Sequence, residues 1–155
     1  MATVRVQTQD FDVGAEFAAL TAGRHDVGGV GCFVGTVRDE GRRLAALTLE
    51  QYPGMTGRAL ARIAAEAERR FSLLGCTVIH RHGRLEPGAN IVLVIAASGH
   101  RQPALDATHF LIDWLKTSAP FWKKEEYADG TTIWVEARKD DDAAAARWQA
   151  GGLSA

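Results

Sequence analysis

Apolar positions recur every second residue in some stretches of the chain and every three to four in others, and these two periods mark strands and helices. Residues 4–7 alternate weakly and fit an edge strand, and Asp12 can cap a short helix to about residue 22. In that helix Glu16 falls in the first turn, with Phe17 and Leu20 predicted to face inward. Residues 29–37 read as a strand whose glycines, Gly29, Gly31 and Gly35, require close backbone approach or a bulge. A polar loop over 39–43 leads to a second strand, 44–52, where Leu47 and Leu49 alternate with Thr48 and Glu50.

Pro53-Gly54-Met55-Thr56 turns the chain into its most regular helix, with Leu60, Ile63, Ala64, Ala67, Phe71 and Leu74 at helical spacing. Gly75 is the predicted left-handed stop. A strand over 77–82, a turn at Glu86-Pro87-Gly88 and a strongly apolar central strand over 91–98 follow. The next helix has Pro103 near its first turn and Leu105, Leu111, Ile112 and Leu115 on its inner side. Segments 121–127 and 131–137 fit a hairpin around Asp129-Gly130, and 140–142 can open a short C-terminal helix containing Trp148. No repeat or linker interrupts the pattern. The fold class this predicts is α+β: a single domain, 1–155, of helices packed on a mostly antiparallel sheet.

Composition narrows the function classes. A chain of 155 residues can bury a real core, and 46% hydrophobic and 24% charged residues are ordinary for a globular protein. The net charge of −1 gives no general nucleic-acid binder, so any anion site must be local. No apolar run is long enough to span a bilayer, and Met1-Ala2-Thr3-Val4-Arg5 lacks a signal-peptide core. Cys32 and Cys76 stand in no metal or redox spacing, which predicts reduced thiols in a cytoplasmic protein, with Cys32 in the core.

The segment from Leu115 to Glu125 carries the chemistry. Lys116, Lys123 and Lys124 surround Pro120-Phe121-Trp122 where a helix gives way to an extended chain. Clustered ammonium groups lower one another's proton affinity, which suits a lysine to acid–base or acyl chemistry. In an extended segment Lys123 and Glu125 share one face, and Trp122, Lys124 and Glu126 the other. For Lys124 and Glu126 the plainer reading is a charged edge strand. Gly35-Thr36-Val37-Arg38 ends a glycine-rich strand with a guanidinium suited to phosphate or carboxylate, although Arg38 alone reads first as a surface arginine. Ser98-Gly99-His100-Arg101 enters a helix, where backbone N–H groups and the helix dipole favour anions. A helix-capping His100 with an exposed Arg101 fits that position equally. His80 and His82, two apart in a strand, point the same way and could begin a metal site, but no third ligand of obvious spacing accompanies them.

Taken in order, Gly35-Thr36-Val37-Arg38, Leu47 to Met55, Val78-Ile79-His80-Arg81, His100-Arg101, Leu115 to Glu125 and Trp134-Val135-Glu136-Ala137 resemble the large, catalytic subunit family of molybdopterin synthase. The Lys116-Thr117-Ser118-Ala119-Pro120-Phe121-Trp122-Lys123 run is the most specific part. The resemblance implies a two-layer α/β hammerhead-type fold with a C-terminal hairpin, and a homodimer at the centre of a heterotetramer. It implies a small ubiquitin-like partner whose C-terminal Gly-Gly thiocarboxylate donates sulfur to cyclic pyranopterin monophosphate, forming the dithiolene of molybdopterin. No cofactor, metal, nucleic acid or membrane is implied. The Gly151-Gly152 pair is not the donor tail, because it is not terminal.

By the same resemblance Lys116 and Lys123 are catalytic. Thr36, Val37, Arg38, His100, Arg101, Lys116, Lys123, Lys124 and Glu125 bind substrate, and Arg138 reaches across the dimer. The alternative from another class is a non-catalytic adaptor that docks a ubiquitin-like protein. A different transferase acting on a phosphorylated heterocycle finds no P-loop, nucleophile elbow or metal-ligand cluster in the sequence.

Overall fold

The computed structural model describes residues 1–39, 41, 43–135, 146 and 148. Its elements run β1 (Thr3–Gln7), α1 (Val13–Thr21), β2 (Gly29–Thr36), β3 (Leu44–Gln51), α2 (Met55–Phe71) and β4 (Gly75–Arg81). They continue through β5 (Gly83–Leu85), β6 (Asn90–Ser98), α3 (Arg101–Thr117), β7 (Phe121–Tyr127) and β8 (Thr132–Trp134). The class is α+β, with the strands divided between two sheets, β1-β4-β6-β2 and β5-β3-β7-β8. The β1–β4 pair is parallel and the other described pairs are antiparallel.

The first sheet is covered on both faces, which is why β6 is an almost unbroken apolar run. Alternation sends Val92 and Val94 toward Leu60, Ala64, Phe110, Leu111 and Leu115 of α2 and α3. Leu93 and Ile95 point the other way, to Phe11, Val13 and Leu20. Asp12 starts α1 by accepting from the Ala15 N–H at 2.9 Å. This short helix covers only β4 and β6, so Phe17 stays 44% exposed instead of facing inward. Leu105 is likewise exposed; it sits about 100° around α3 from the buried Ala104.

Two glycines differ from expectation in instructive ways. α2 ends in the left-handed region at Ser72 (φ 50°), not at Gly75. Gly75 instead opens β4, where a Cβ would lie 2.7 Å from Leu20 Cδ1. Close approach does explain the β2 glycines. A Cβ on Gly31 would meet Thr108 Oγ1 at 2.3 Å and the Ala104 carbonyl at 2.7 Å, so α3 lies directly on the β2 backbone. The ladder shifts register between Gly35 and Thr36, as a bulge does. Cys32 is exposed rather than core: β2 is an edge strand, and the cover from α1 stops at β4 and β6.

The second sheet joins the first through Val37, Leu49 and Leu85, with Ile91 and Phe121 bridging to the helix-covered core. β7 and β8 form the expected hairpin, turning through Gly130 (φ 88°); β8 covers Thr132–Trp134, and positions 136 and 137 of the predicted strand lie outside the described residues. The C-terminal helix expected from 140–142 lies outside the described residues except at positions 146 and 148. Trp148 packs edge-on to Phe71 and Phe110, and its indole donates to the Asp113 carboxylate at 2.6 Å.

Candidate active site

The lysine segment is a pinned bend. Lys116 occupies the last turn of α3, and the Ser118 N–H closes that turn on the Trp114 carbonyl at 2.8 Å. The chain then bends through Ala119-Pro120, with the Phe121 N–H donating to the Ala119 carbonyl at 2.8 Å, and enters β7. In the β3–β7 ladder Gln51 faces Phe121 and Leu49 faces Lys123. Opposed residues share a face, so Phe121 and Lys123 both lie on the side of the sheet that holds Leu49 and Val37.

Under this bend sits His80, 6% exposed, its ring 4.0 Å from that of Phe121 and inclined by 22°. Burial first, then the charges of Lys123, Lys116 and His82, outweigh the pull of the Arg81 carbonyl and bring the His80 pKa down to about 4. A carbonyl can only accept, so the Nδ1 that lies 2.8 Å from the Arg81 oxygen carries the ring proton and Nε2 keeps its lone pair. His80 is thus a neutral group beside two cations. His82 lies past the end of β4, its Nε2 3.1 Å from Gln51 Nε2. Among the described residues, no group of three or more His, Cys, Asp or Glu side chains is arranged to hold a metal.

Arg38 belongs to this end of the molecule. Thr36 is opposite Asn90, and the Val37 N–H donates to the Ala89 carbonyl at 2.9 Å while its own carbonyl accepts from Gly88 at 2.8 Å. The Val37 side chain packs with Leu49, the register partner of Lys123. Both backbone groups of Val37 are therefore occupied in holding the strand end from which Arg38 projects.

His100 and Arg101 lie at the other end. His100 is the extended N-cap residue of α3 (φ −135°, ψ 153°) and makes no side-chain capping bond, so that half of the alternative is not what the structure shows, while Arg101 is exposed as the alternative expected. It borders an open groove of about 680 Å³ lined also by Arg70, Phe71, Gln102 and Asp106. From Arg101 to Lys116 the helix rises about 22 Å at about 1.5 Å per residue. One chain therefore gathers Arg38, Lys116 and Lys123 at one end and leaves His100 and Arg101 at the opposite one.

Lys124 lies on the outer face of β7, over the Trp134 ring at 5.9 Å, and Glu125 shares the Lys123 face and accepts from the Tyr127 hydroxyl. The charged-edge reading of Lys124 and Glu126 is corrected, since β7 lies between β3 and β8. Glu126 instead pairs with Arg84 at 3.2 Å. Arg138 lies outside the described residues. Sequence reasoning gave no place here to His80, weighed there only as a metal ligand, whose ring stacks on Phe121, or to Thr56, read as part of a turn, whose hydroxyl donates to the Pro120 carbonyl at 2.9 Å. Only tertiary contact reveals either.

The family model described as MoaE protein matches residues 6–118. A molybdopterin synthase catalytic subunit from Mesorhizobium japonicum is 60% identical over 148 residues, 95% of this chain and 93% of the relative. One from Escherichia coli is 50% identical over 145 residues, 92% and 95% of the two chains. Among solved structures, the molybdopterin biosynthesis MoaE protein from Burkholderia ambifaria superposes with a TM-score of 0.82 at 53% identity, covering 96% of this chain and 99% of that one. The crystal structure of molybdopterin synthase from Staphylococcus aureus gives 0.77 at 27% identity, over 84% and 95%. With the lysine bend in place and this similarity running along nearly the whole chain, the protein belongs to the MoaE family of molybdopterin synthase catalytic subunits.

Proposed function

We propose that this chain transfers sulfur from the C-terminal thiocarboxylate of a small ubiquitin-like subunit to cyclic pyranopterin monophosphate, building the dithiolene of molybdopterin. The observation that carries the reading is the pair of lysines, Lys116 and Lys123, held on either side of one pinned bend. The thiocarboxylate sulfur attacks a substrate carbon, a C–S bond forms, and oxygen leaves that carbon with a proton from Lys123. Water then cleaves the acyl–sulfur bond, returning a carboxylate to the tail and leaving sulfur on the pterin. Lys116 stabilises the oxyanion that forms on the acyl carbon. A second donor tail repeats the sequence on the neighbouring carbon.

Phosphate binding by Arg38, His100 and Arg101 cannot be completed by one copy, given the length of α3. A second copy in a homodimer supplies His100 and Arg101 to the Arg38–lysine end of the first. Thr36 and Val37 set the direction of Arg38, Lys124 and Glu125 border the donor tail, and Arg138 reaches the neighbouring site. The chain works as one domain in the cytoplasm, within a heterotetramer. The test is the fate of the donor. Mass spectrometry of the small subunit's tail should show thiocarboxylate becoming carboxylate only when this protein and the pterin are both present. Tail binding without that conversion would make the chain an adaptor.

A further inference from the structure

The Pro120–Phe121 bend is gripped from two sides by side chains that the sulfur-transfer chemistry does not itself require. Thr56 is fully buried. Its hydroxyl accepts from the Tyr52 N–H at 3.1 Å and donates to the Pro120 carbonyl at 2.9 Å, while its own N–H donates to the Tyr52 carbonyl at 3.0 Å. One hydroxyl thereby ties the end of β3 and the first turn of α2 to the bend 64 residues later. From the other side the His80 ring lies flat against Phe121, itself fixed by the bond to the Arg81 carbonyl.

We propose that Thr56 and His80 are positioning residues, a clamp on Pro120–Phe121 that sets the separation of Lys116 and Lys123. This rests on the synthase reading above. Lys116 is carried by the last turn of its helix and Lys123 by the start of the β3–β7 ladder, and the bend is the link between them, so its path sets how the helix end and the strand stand to each other. Proline has no N–H to contribute and a fixed φ, leaving its carbonyl as the one hydrogen-bonding handle at that point. Thr56 holds that handle. A shift of the bend carries directly into Phe121 and, two residues on along the same face, into Lys123. Reacting groups misplaced by about 1 Å lose on the order of 100-fold in rate.

The test compares Thr56→Val, which keeps the shape and removes the hydroxyl, with Thr56→Ser, which keeps the hydroxyl. Thr56→Val should lower kcat by about 10- to 100-fold with KM for the pterin changed by no more than about twofold. Thr56→Ser should restore kcat to within about threefold of wild type. Ile95→Val, a core truncation in the cluster on the far face of the first sheet, corrects for lost stability and should leave kcat alone. A Thr56→Val enzyme as active as Ile95→Val, or no rescue by serine, overturns the clamp. Where Thr56→Val does not fold, His80→Ala against His80→Phe decides in the same way: the alanine variant loses activity and the flat phenylalanine ring restores most of it. Equal activity of those two overturns the clamp. Competitive amine labelling supplies a readout independent of turnover. Lys123 reactivity should change in Thr56→Val and return in Thr56→Ser; unchanged labelling overturns the clamp even in an active enzyme. A labelling change in Thr56→Val that Thr56→Ser reverses, in a protein whose wild type makes no product, would sink the synthase reading while leaving the clamp supported.

Discussion

Lys123 stands directly opposite Leu49 in the β3–β7 ladder, so the lysine and a fully buried leucine share one face of the second sheet. Leu49 is the floor on which that lysine strand rests, packed with Val37 and Leu85. Leu49→Ala should cost about 2–5 kcal/mol in denaturant unfolding, through lost burial and the cavity left behind. Activity should fall with it, because the cavity opens beneath Lys123.

The contact of α3 with β2 predicts opposite effects at two glycines. Gly31→Ala places a methyl against Thr108 and the Ala104 carbonyl and should destabilise by about 1–3 kcal/mol. Gly57→Ala, inside α2 with nothing within 4 Å of its Cβ position, should stabilise by about 0.4–1 kcal/mol. Thermal melts of the two variants give the check, and shifts of the same sign would contradict the packing described.

His80 makes stability depend on pH. The unfolded chain protonates this ring below about pH 6.5, whereas the folded chain, with the pKa lowered to about 4, resists protonation until then. The stability this gives is fully present above pH 6.5, is lost as pH falls toward about 4, and then levels off. At about 1.4 kcal/mol per unit it amounts to up to about 3 kcal/mol. Urea unfolding at stepped pH should show this slope in wild type and a flatter one in His80→Phe.

Separation of the Arg38–lysine end from His100 and Arg101 along α3, taken with the homodimer proposed above, predicts complementation. A Lys123→Ala chain and an Arg101→Ala chain, each impaired alone, form one intact composite site in each mixed dimer. Random pairing should recover about a quarter of wild-type activity. Activity no higher than that of the separate variants would place the whole site within one chain.

Much of this was legible in the residues. The β2 glycines announced close approach, and Gly31 meets the α3 backbone. The face shared by Lys123 and Glu125 followed from the period of a strand and is the face observed. The opposite ends of α3 could also have been read from about 1.5 Å per residue, but sequence order carries no sign of a second copy. Other features arise only from tertiary cover. Cys32 reads as core in an apolar strand and is exposed because β2 is an edge that α1 does not reach. The environment of His80 depends on Phe121, Lys116 and Lys123, which lie 36 to 43 residues away. Thr56 is one hydroxyl after a turn, and its partner at Pro120 has no local signature.

The most direct measurement is reconstitution from purified components: this protein, a thiocarboxylated ubiquitin-like small subunit and cyclic pyranopterin monophosphate, with the dithiolene product oxidised to its fluorescent derivative. Wild type should make product, while Lys116→Ala and Lys123→Ala should each lose on the order of 100-fold or more and still bind the small subunit. A fully active variant at either lysine would contradict the role given to it, and a wild type that makes no product would contradict the account as a whole.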